Sequence, residues 1–208
     1  MPSRPRKNRG DALLQLTQSA VVAALYLAVT MVSSFMSFSV IQLRPAEALT
    51  ALPVLFPAAV PGVFIGCLLA NLLNPAPLGL VDILGGSIVT LFAAWLSFRL
   101  GRPWRKVLAG EMEAGRTRRR FPSWRPLILA LLPPVILNAL VVGSYLPFLI
   151  TPGHVTAGLL LAGMGSILVS QALVVYGLGL PLAAALRHTP WARRIYLTEF
   201  SKERKNDR

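Results

Sequence analysis

Two carboxylates and one guanidinium stand alone in the otherwise apolar body of the chain. Of the eight acidic residues, Asp11, Glu111, Glu113, Glu199, Glu203 and Asp207 lie within or beside basic stretches. Glu47 and Asp82 lie in the apolar body, with Arg44 as the cation that accompanies them. Charge at membrane depth is costly and normally faces a cavity or a partner, so these three are candidates for holding a polar solute. A structural reading competes with that one. Arg44 and Glu47 are three residues apart at a helix start, where an ion pair forms locally and an acid suits the helix dipole. Asp82 suits the first turn of the next long segment in the same way. Gln42, Asn71 and Asn74 cluster at the same end of their segments. Asn138 and Gln171 fall inside later apolar segments, where an amide either reads a ligand or bonds a neighbouring helix.

Chemistry beyond binding has little support. The two histidines, His154 and His188, fall in a turn and at a helix end, and no His, Cys or carboxylate pair has metal-ligand spacing. Gly85-Gly86-Ser87 lacks a histidine at a matching depth for serine catalysis, and there is no P-loop. No catalytic residue, metal site or cofactor is therefore expected. The single cysteine, Cys67, excludes an internal disulfide and reads as a buried structural thiol.

The elements that must position these groups are membrane helices. The 208-residue chain is 54% hydrophobic and 14% charged, against about 25% charged in ordinary soluble domains. A single soluble core of this size cannot bury so much apolar surface, whereas a bilayer accepts spans of about 20 apolar residues. The apolar run from Leu13 to about Phe38 is too long for a signal peptide. Helices are expected over about 12–36, 46–58, 62–73, 79–100, 126–150 and 155–186, separated by Pro and Gly signals at Pro57, Pro61-Gly62, Asn74-Pro75-Ala76-Pro77 and Thr151-Pro152-Gly153. Pro133-Pro134 should kink the fifth helix, and the sixth must tilt or bend near Pro181. The second and third segments are short, forming either two short helices or a re-entrant pair. The fold class is thus all-α, an integral membrane bundle of about six transmembrane helices.

Charge sets the orientation. The 21 Lys and Arg residues divide into four in 1–11, nine in 99–125, seven in 187–208, and Arg44. With six segments the three clusters share one side, which the positive-inside rule makes the cytoplasm. The chain then divides into a basic cytoplasmic N-terminal tail (1–11), a transmembrane domain (12–187) with a basic cytoplasmic loop (101–125), and a basic C-terminal tail (188–208). Topology accounts for the pI of about 11.4 without nucleic acid, and Arg116, Arg118, Arg119 and Arg120 read as a solvated, lipid-facing cluster. In the first helix, Ala20, Ala24 and Ala28 recur every four residues. They form a smooth face for close approach by another helix, within the bundle or from a partner.

Residues 42–70, QLRPAEALTALPVLFPAAVPGVFIGCLLA, followed by Asn71, resemble the queuosine-precursor transporter family. The shared block is Gln42, Arg44, Glu47-Ala48-Leu49 and Leu52-Pro53, then Pro61-Gly62, Gly66-Cys67 and Ala70-Asn71. Further similarity runs through Leu80-Val81-Asp82, Gly85, Ser87, Pro133-Pro134, Asn138, Val142-Gly143, Tyr176 and Leu178 to Leu182. It covers about residues 12–187. Two departures stand out: Ser144-Tyr145 and Ser170-Gln171 occupy positions where the family carries acids, which implies a different or less cationic precursor. The basic link between the fourth and fifth helices looks like an insertion.

The resemblance implies a substrate-capture (S) component of an energy-coupling factor (ECF) importer in a bacterial plasma membrane. Such a component takes its solute from outside, topples in the bilayer, and works with a transmembrane coupling protein and two ATPase subunits. Ala20, Ala24 and Ala28 would pack on the coupling protein. The ligand would be a 7-deazaguanine base. Its adjacent N–H donors suit Glu47 or Asp82, amides such as Asn71, Asn138 and Gln171 suit its carbonyl and remaining N–H groups, and Arg44 suits O6 or positions Glu47. The alternatives are an S component for another vitamin or nucleobase, and a small membrane enzyme or structural membrane protein.

Overall fold

The computed structural model describes residues 9–34, 43–74, 78–113, 124–151, 153–187, 189, 192 and 195. Gln42, Pro152, His188 and the basic cluster at 116–120 lie outside them, as do most of both tails. Every element among the described residues is helical. We label them α1 (Arg9–Val32), α2 (Pro45–Val54), α3 (Ala59–Leu72), α4 (Leu80–Leu100), α5 (Arg102–Glu113), α6 (Trp124–Ile150) and α7 (Ala157–Leu186).

Four of these, α1, α4, α6 and α7, are long and apolar enough to cross a membrane. Their outer faces carry large apolar side chains such as Leu16, Leu25, Ile88, Phe92, Leu140 and Leu173, all exposed, which suits hydrocarbon rather than water. Of the six expected segments, the two expected to be short, forming either two short helices or a re-entrant pair, are the ones that fall below spanning length among the described residues. The pair is α2 and α3. α3 has 14 residues, about 21 Å at 1.5 Å per residue, less than the ~30 Å hydrocarbon thickness.

α2 is a ten-residue 3₁₀ helix, shorter than the expected 46–58 segment. Its tighter winding advances about 2 Å per residue, so it crosses about as much depth as α3 with fewer residues. Eight of its ten residues are buried, so it threads the middle of the bundle. Two close contacts hold it there. A Cβ on Gly179 of α7 would lie 2.9 Å from the Ala48 carbonyl oxygen and 3.1 Å from Ala51 Cβ, so only glycine lets α7 approach this closely. At the other end, buried Arg105 donates from Nη1 to the carbonyls of Val54 (2.9 Å) and Phe98 (2.8 Å). One guanidinium thereby satisfies terminal carbonyls of both α2 and α4.

α1 packs on α3 through glycines. Cβ atoms on Gly62 and Gly66 would fall 2.8 Å from Val22 Cβ and 2.6 Å from Tyr26 Cβ, so the two backbones meet at van der Waals distance. Ser19 Oγ adds a 2.8 Å bond to the Ala58 carbonyl. α6 and α7 cross by the same device, with Gly143 against the backbone of Met164 and Gly163 against the Gly143 carbonyl.

Both long C-terminal helices contain a π turn, Asn138–Val142 in α6 and Val175–Gly179 in α7. Each precedes a helical turn containing a proline, Pro147 and Pro181 respectively. Proline removes one N–H and pushes away the carbonyl four residues earlier, and a widened turn absorbs the mismatch. α6 also breaks at Leu131, next to Pro133-Pro134. The basic link, expected as loop, contains α5. Trp104, Arg105, Leu108 and Ala109 bury one of its faces, while Arg102, Lys106 and Val107 stay exposed.

Candidate functional site

The N-terminal end of α2 carries the first two groups. Arg44 holds the N-cap position in extended backbone, and Glu47 sits in the first turn. α3 brings Asn71 in its last turn. α4 starts after Gly79, whose φ of 94° only glycine adopts freely, and it places Asp82 in its first turn. α6 contributes Asn138 at the start of its π turn, and α7 contributes Gln171. All but the half-buried Arg44 are buried: Glu47 and Asp82 are each 2% exposed, and Asn71 1%.

Arg44, Glu47, Asp82, Asn138 and Gln171 line one cavity. Asn71 stands behind it, accepting from Arg44 Nη1 at 2.9 Å and donating to the Asp82 carbonyl at 3.4 Å. The structure thus assembles the candidate polar residues from five elements. It also adds walls that the sequence did not assign to a site, namely Cys67, Gly86, Thr90, Val142 and Ile167. Thr90 Oγ lies 3.5 Å from the Cys67 thiol, so Cys67 is buried, as expected, and part of the cavity wall.

The charges do not pair as a local helix-start bridge. Glu47 Oε1 accepts from Tyr26 Oη at 2.5 Å. Arg44 turns instead to Asn71 and to Asp82, with Nη2 4.0 Å from Oδ2. Asp82 Oδ1 accepts from Tyr145 Oη at 2.9 Å. Each carboxylate is therefore held by a tyrosine hydroxyl. Tyr145 occupies one of the positions noted as departures, and its ring also lies against Gly85 and Gly86 at the side of the cavity. Tyr26 had no signal in the sequence beyond being a lone phenol in an apolar helix.

Among the described residues, three buried polar atoms in this cavity have no hydrogen-bond partner: Glu47 Oε2, Asn138 Nδ2 and Gln171 Oε1. A buried polar group left without a hydrogen bond costs about 1–3 kcal/mol, and a cluster of them marks a place where something else binds. Here the cluster offers two acceptors and one donor. The space between them is about 20 Å³, enough for one water and far below a base-sized pocket. A larger ligand enters only if the walls part.

Ala20, Ala24 and Ala28 lie elsewhere. They face outward from α1, opposite the Ser19, Val22, Ala23 and Tyr26 face that packs inside. Packing within the bundle, one of the two readings of this stripe, is therefore not its role among the described residues.

A family model described as QueT transporter matches residues 16–188. No curated protein matches the chain, and no solved structure does.

Proposed function

The chain belongs to the QueT transporter family, and from that membership and the cavity we propose that it is the substrate-capture component of an ECF importer for a 7-deazaguanine precursor of queuosine. The coarse part, a multi-pass membrane protein with a transport role rather than an enzyme, follows from the family and the four long apolar helices. The finer part rests chiefly on one observation: Glu47 Oε2, Asn138 Nδ2 and Gln171 Oε1 face one cavity without partners.

The Watson–Crick edge of a guanine-like base presents two adjacent N–H donors and one carbonyl acceptor. Two acceptors and one donor complement it in number and sense. In this reading Glu47 accepts from the ring N–H, Gln171 accepts from the exocyclic amine, and Asn138 donates to the carbonyl. Arg44 holds Asp82 and Asn71 in place and adds positive potential near the carbonyl. Tyr26 fixes the rotamer of Glu47.

The same geometry supports a neutral ligand. An aminomethyl cation on the base would seek a second carboxylate, yet Asp82 already faces Arg44 and accepts from Tyr145. The 7-cyano base makes no such demand, so it is the preferred solute.

In this reading the basic clusters keep the tails and the α4–α6 link on the cytoplasmic side, by the positive-inside rule, and the cavity lies toward the outer face. α1 offers Ala20, Ala24 and Ala28 to the membrane as a smooth strip suited to a helix of the coupling protein. Two ATPase subunits complete the machine.

Calorimetric titration of the detergent-purified chain tests the reading. 7-Cyano- and 7-aminomethyl-7-deazaguanine are compared with queuine, guanine, riboflavin and thiamine. Tight binding of the cyano base, with the aminomethyl base weaker, is the expected result. Binding of a vitamin and no deazaguanine would retain a capture component and reject the solute, while silence with every ligand would reject both.

A further inference from the structure

The polar cavity holds a charge imbalance that recognition of a base does not explain. Of the residues lining it, one is a cation, Arg44, and two are acids, Glu47 and Asp82. Arg44 pairs with Asp82, Nη2 to Oδ2 at 4.0 Å, and donates from Nη1 to Asn71. Glu47 forms no ion pair among the described residues. The neighbouring segments outside the described residues, 35–42, 75–77 and 152, contain no Lys, Arg or His. We propose that Glu47 carries a proton in the ligand-free site and releases it when the solute binds; the release rests on the deazaguanine solute of the proposed function.

Burial is the first argument. Glu47 is 2% exposed. An isolated carboxylate taken out of water neutralises itself rather than remain charged. Its surroundings give it one donor: Tyr26 of α1 bonds Oε1, while Oε2 has no partner among the described residues. The other titratable groups around it do not add a second. Cys67 of α3 contacts Thr90 Oγ and Asn71 Nδ2. Asp82 of α4, held by Tyr145 of α6 and by Arg44, contributes like charge. α7 presents the uncharged Gln171, its Tyr176 being bonded to the Ile128 carbonyl. Only Arg44 favours an ionised Glu47, and it is committed to Asp82 and Asn71.

Hydrogen bonding is the second argument. Glu47 Oε2 and Gln171 Oε1 are acceptors without a donor, and Asn138 Nδ2 is a donor without an acceptor. With Glu47 ionised, two acceptors compete for one amide. A proton on Oε2 turns it into a donor. The Gln171 carbonyl has two lone pairs, so it then accepts from both Glu47 and Asn138, directly or through the one water that the cavity admits.

The base reverses this arrangement. Its two N–H donors require Oε2 and Gln171 Oε1 as acceptors, so the Oε2–H bond must break. The proton passes to bulk water through the opened cavity. The carboxylate left behind then has donors on both oxygens, Tyr26 on one and the base on the other. Capture is thereby tied to the loss of one proton, and a solute without N–H donors has nothing to offer in exchange.

Infrared difference spectroscopy of the full chain in detergent, stepped through pH without ligand, reads the proton itself. A carboxylic-acid C=O band is expected at neutral pH, absent in Glu47→Gln and retained in Asp82→Asn. Tyr26→Phe removes the donor that favours the carboxylate, so the band should persist to higher pH. Unfolding midpoints verify that the variants remain folded. Calorimetry with 7-cyano-7-deazaguanine, at one pH in buffers of different ionisation enthalpy, then counts protons. Wild type should release about one per base bound, and Glu47→Gln none. Affinity should rise about tenfold per pH unit over the range where the band is present. No acid band in the ligand-free wild type, or a band that survives Glu47→Gln, would overturn the proposal. So would tight binding of the base with no proton released. A Glu47 band in a protein that binds no deazaguanine would uphold the proton and reject the solute, so the two readings fail separately.

Discussion

Replacing Glu47 by Gln separates a binding carboxylate from a structural one. In the ligand-free protein Oε1 takes the Tyr26 hydroxyl and Oε2 takes nothing. Gln keeps the volume and removes the charge. If its amide oxygen stays on Tyr26, the new NH₂ meets the N–H donors of the base. If the amide turns round, Tyr26 must reverse its hydroxyl, and the ligand is left with a neutral acceptor. Hydrogen bonds to a charged group contribute roughly 1.5–3 kcal/mol and neutral ones roughly 0.5–1.5. Losing a charge-assisted contact and weakening its neighbour then removes about 2–3 kcal/mol of binding, or roughly 30- to 150-fold in Kd. Stability moves differently. A buried carboxylate with an unmatched oxygen is a liability without ligand, so the unfolding midpoint of ligand-free Glu47→Gln should hold or rise. Calorimetry with 7-cyano-7-deazaguanine and thermal unfolding in the same detergent read both quantities. A Kd within threefold of wild type, together with a lowered midpoint, would refute the reasoning and make Glu47 a structural residue.

Tyr145→Phe frees Asp82 Oδ1. It should shift the ratio of aminomethyl to cyano affinities about tenfold toward the cation, the weight of one hydrogen bond to a charged group, read by paired titrations. Gly66→Ala places a Cβ 2.6 Å from Tyr26 Cβ; overpacking of this kind costs about 1–3 kcal/mol and should lower both the unfolding midpoint and ligand affinity. Gly165→Ala, with nothing within 4 Å of its Cβ, should leave both unchanged. Arg105→Ala removes donors to the Val54 and Phe98 carbonyls and should lower stability by about 2–4 kcal/mol, while Arg105→Lys restores less than half because one ammonium does not reproduce the planar fork. Ala24→Leu should leave deazaguanine affinity intact and reduce copurification of the coupling protein and ATPases at least tenfold, since a larger side chain on the outward strip keeps another helix at a distance.

The long helices were legible because hydrophobic runs bounded by Pro and Gly report span directly. α1, α4, α6 and α7 start and stop within a few residues of the expected limits where the structure describes them. α2 was harder. A helix buried on nearly every side has no polar face, so no periodicity distinguishes 3₁₀ from α winding. α5 had a signal in Trp104, Leu108 and Ala109 on one face, obscured by Arg105 and Lys106 between them. Geometry converges similarly for the site. A charge in an apolar run is conspicuous in one dimension, so Arg44, Glu47 and Asp82 stood out as residues facing a common space. The tyrosines did not. Tyr26 read as an ordinary aromatic residue and Tyr145 only as a position where the resembled family carries an acid, and their hydroxyls acquire meaning only when α1 meets α2 and α6 meets α4. The outward direction of Ala20, Ala24 and Ala28 was also undecidable from spacing alone, since both faces of α1 carry small residues and only packing against Gly62 and Gly66 fixes which turns inward.

The narrowness of the cavity bears on how capture must work. About 20 Å³ is open among Arg44, Glu47, Asp82, Asn138 and Gln171, so a base displaces wall atoms to enter. The inner end of α2 is anchored by Arg105, and its middle is fixed against Gly179. Neither contact yields without exposing carbonyls inside the bundle. α3 is tied to α1 through Gly62 and Gly66. The neighbour of the cavity with fewest such ties is Tyr145, half-buried and joined to Asp82 by one hydroxyl. Swinging that ring away from Gly85 and Gly86 uncovers Asp82 and widens the gap between α4 and α6 without moving α2. Opening at Tyr145 and closing over the base afterwards reconciles a nearly full cavity with three unpartnered polar atoms at its centre. The closed state leaves room for one water at most, whereas a ligand that supplies two donors and an acceptor matches all three atoms.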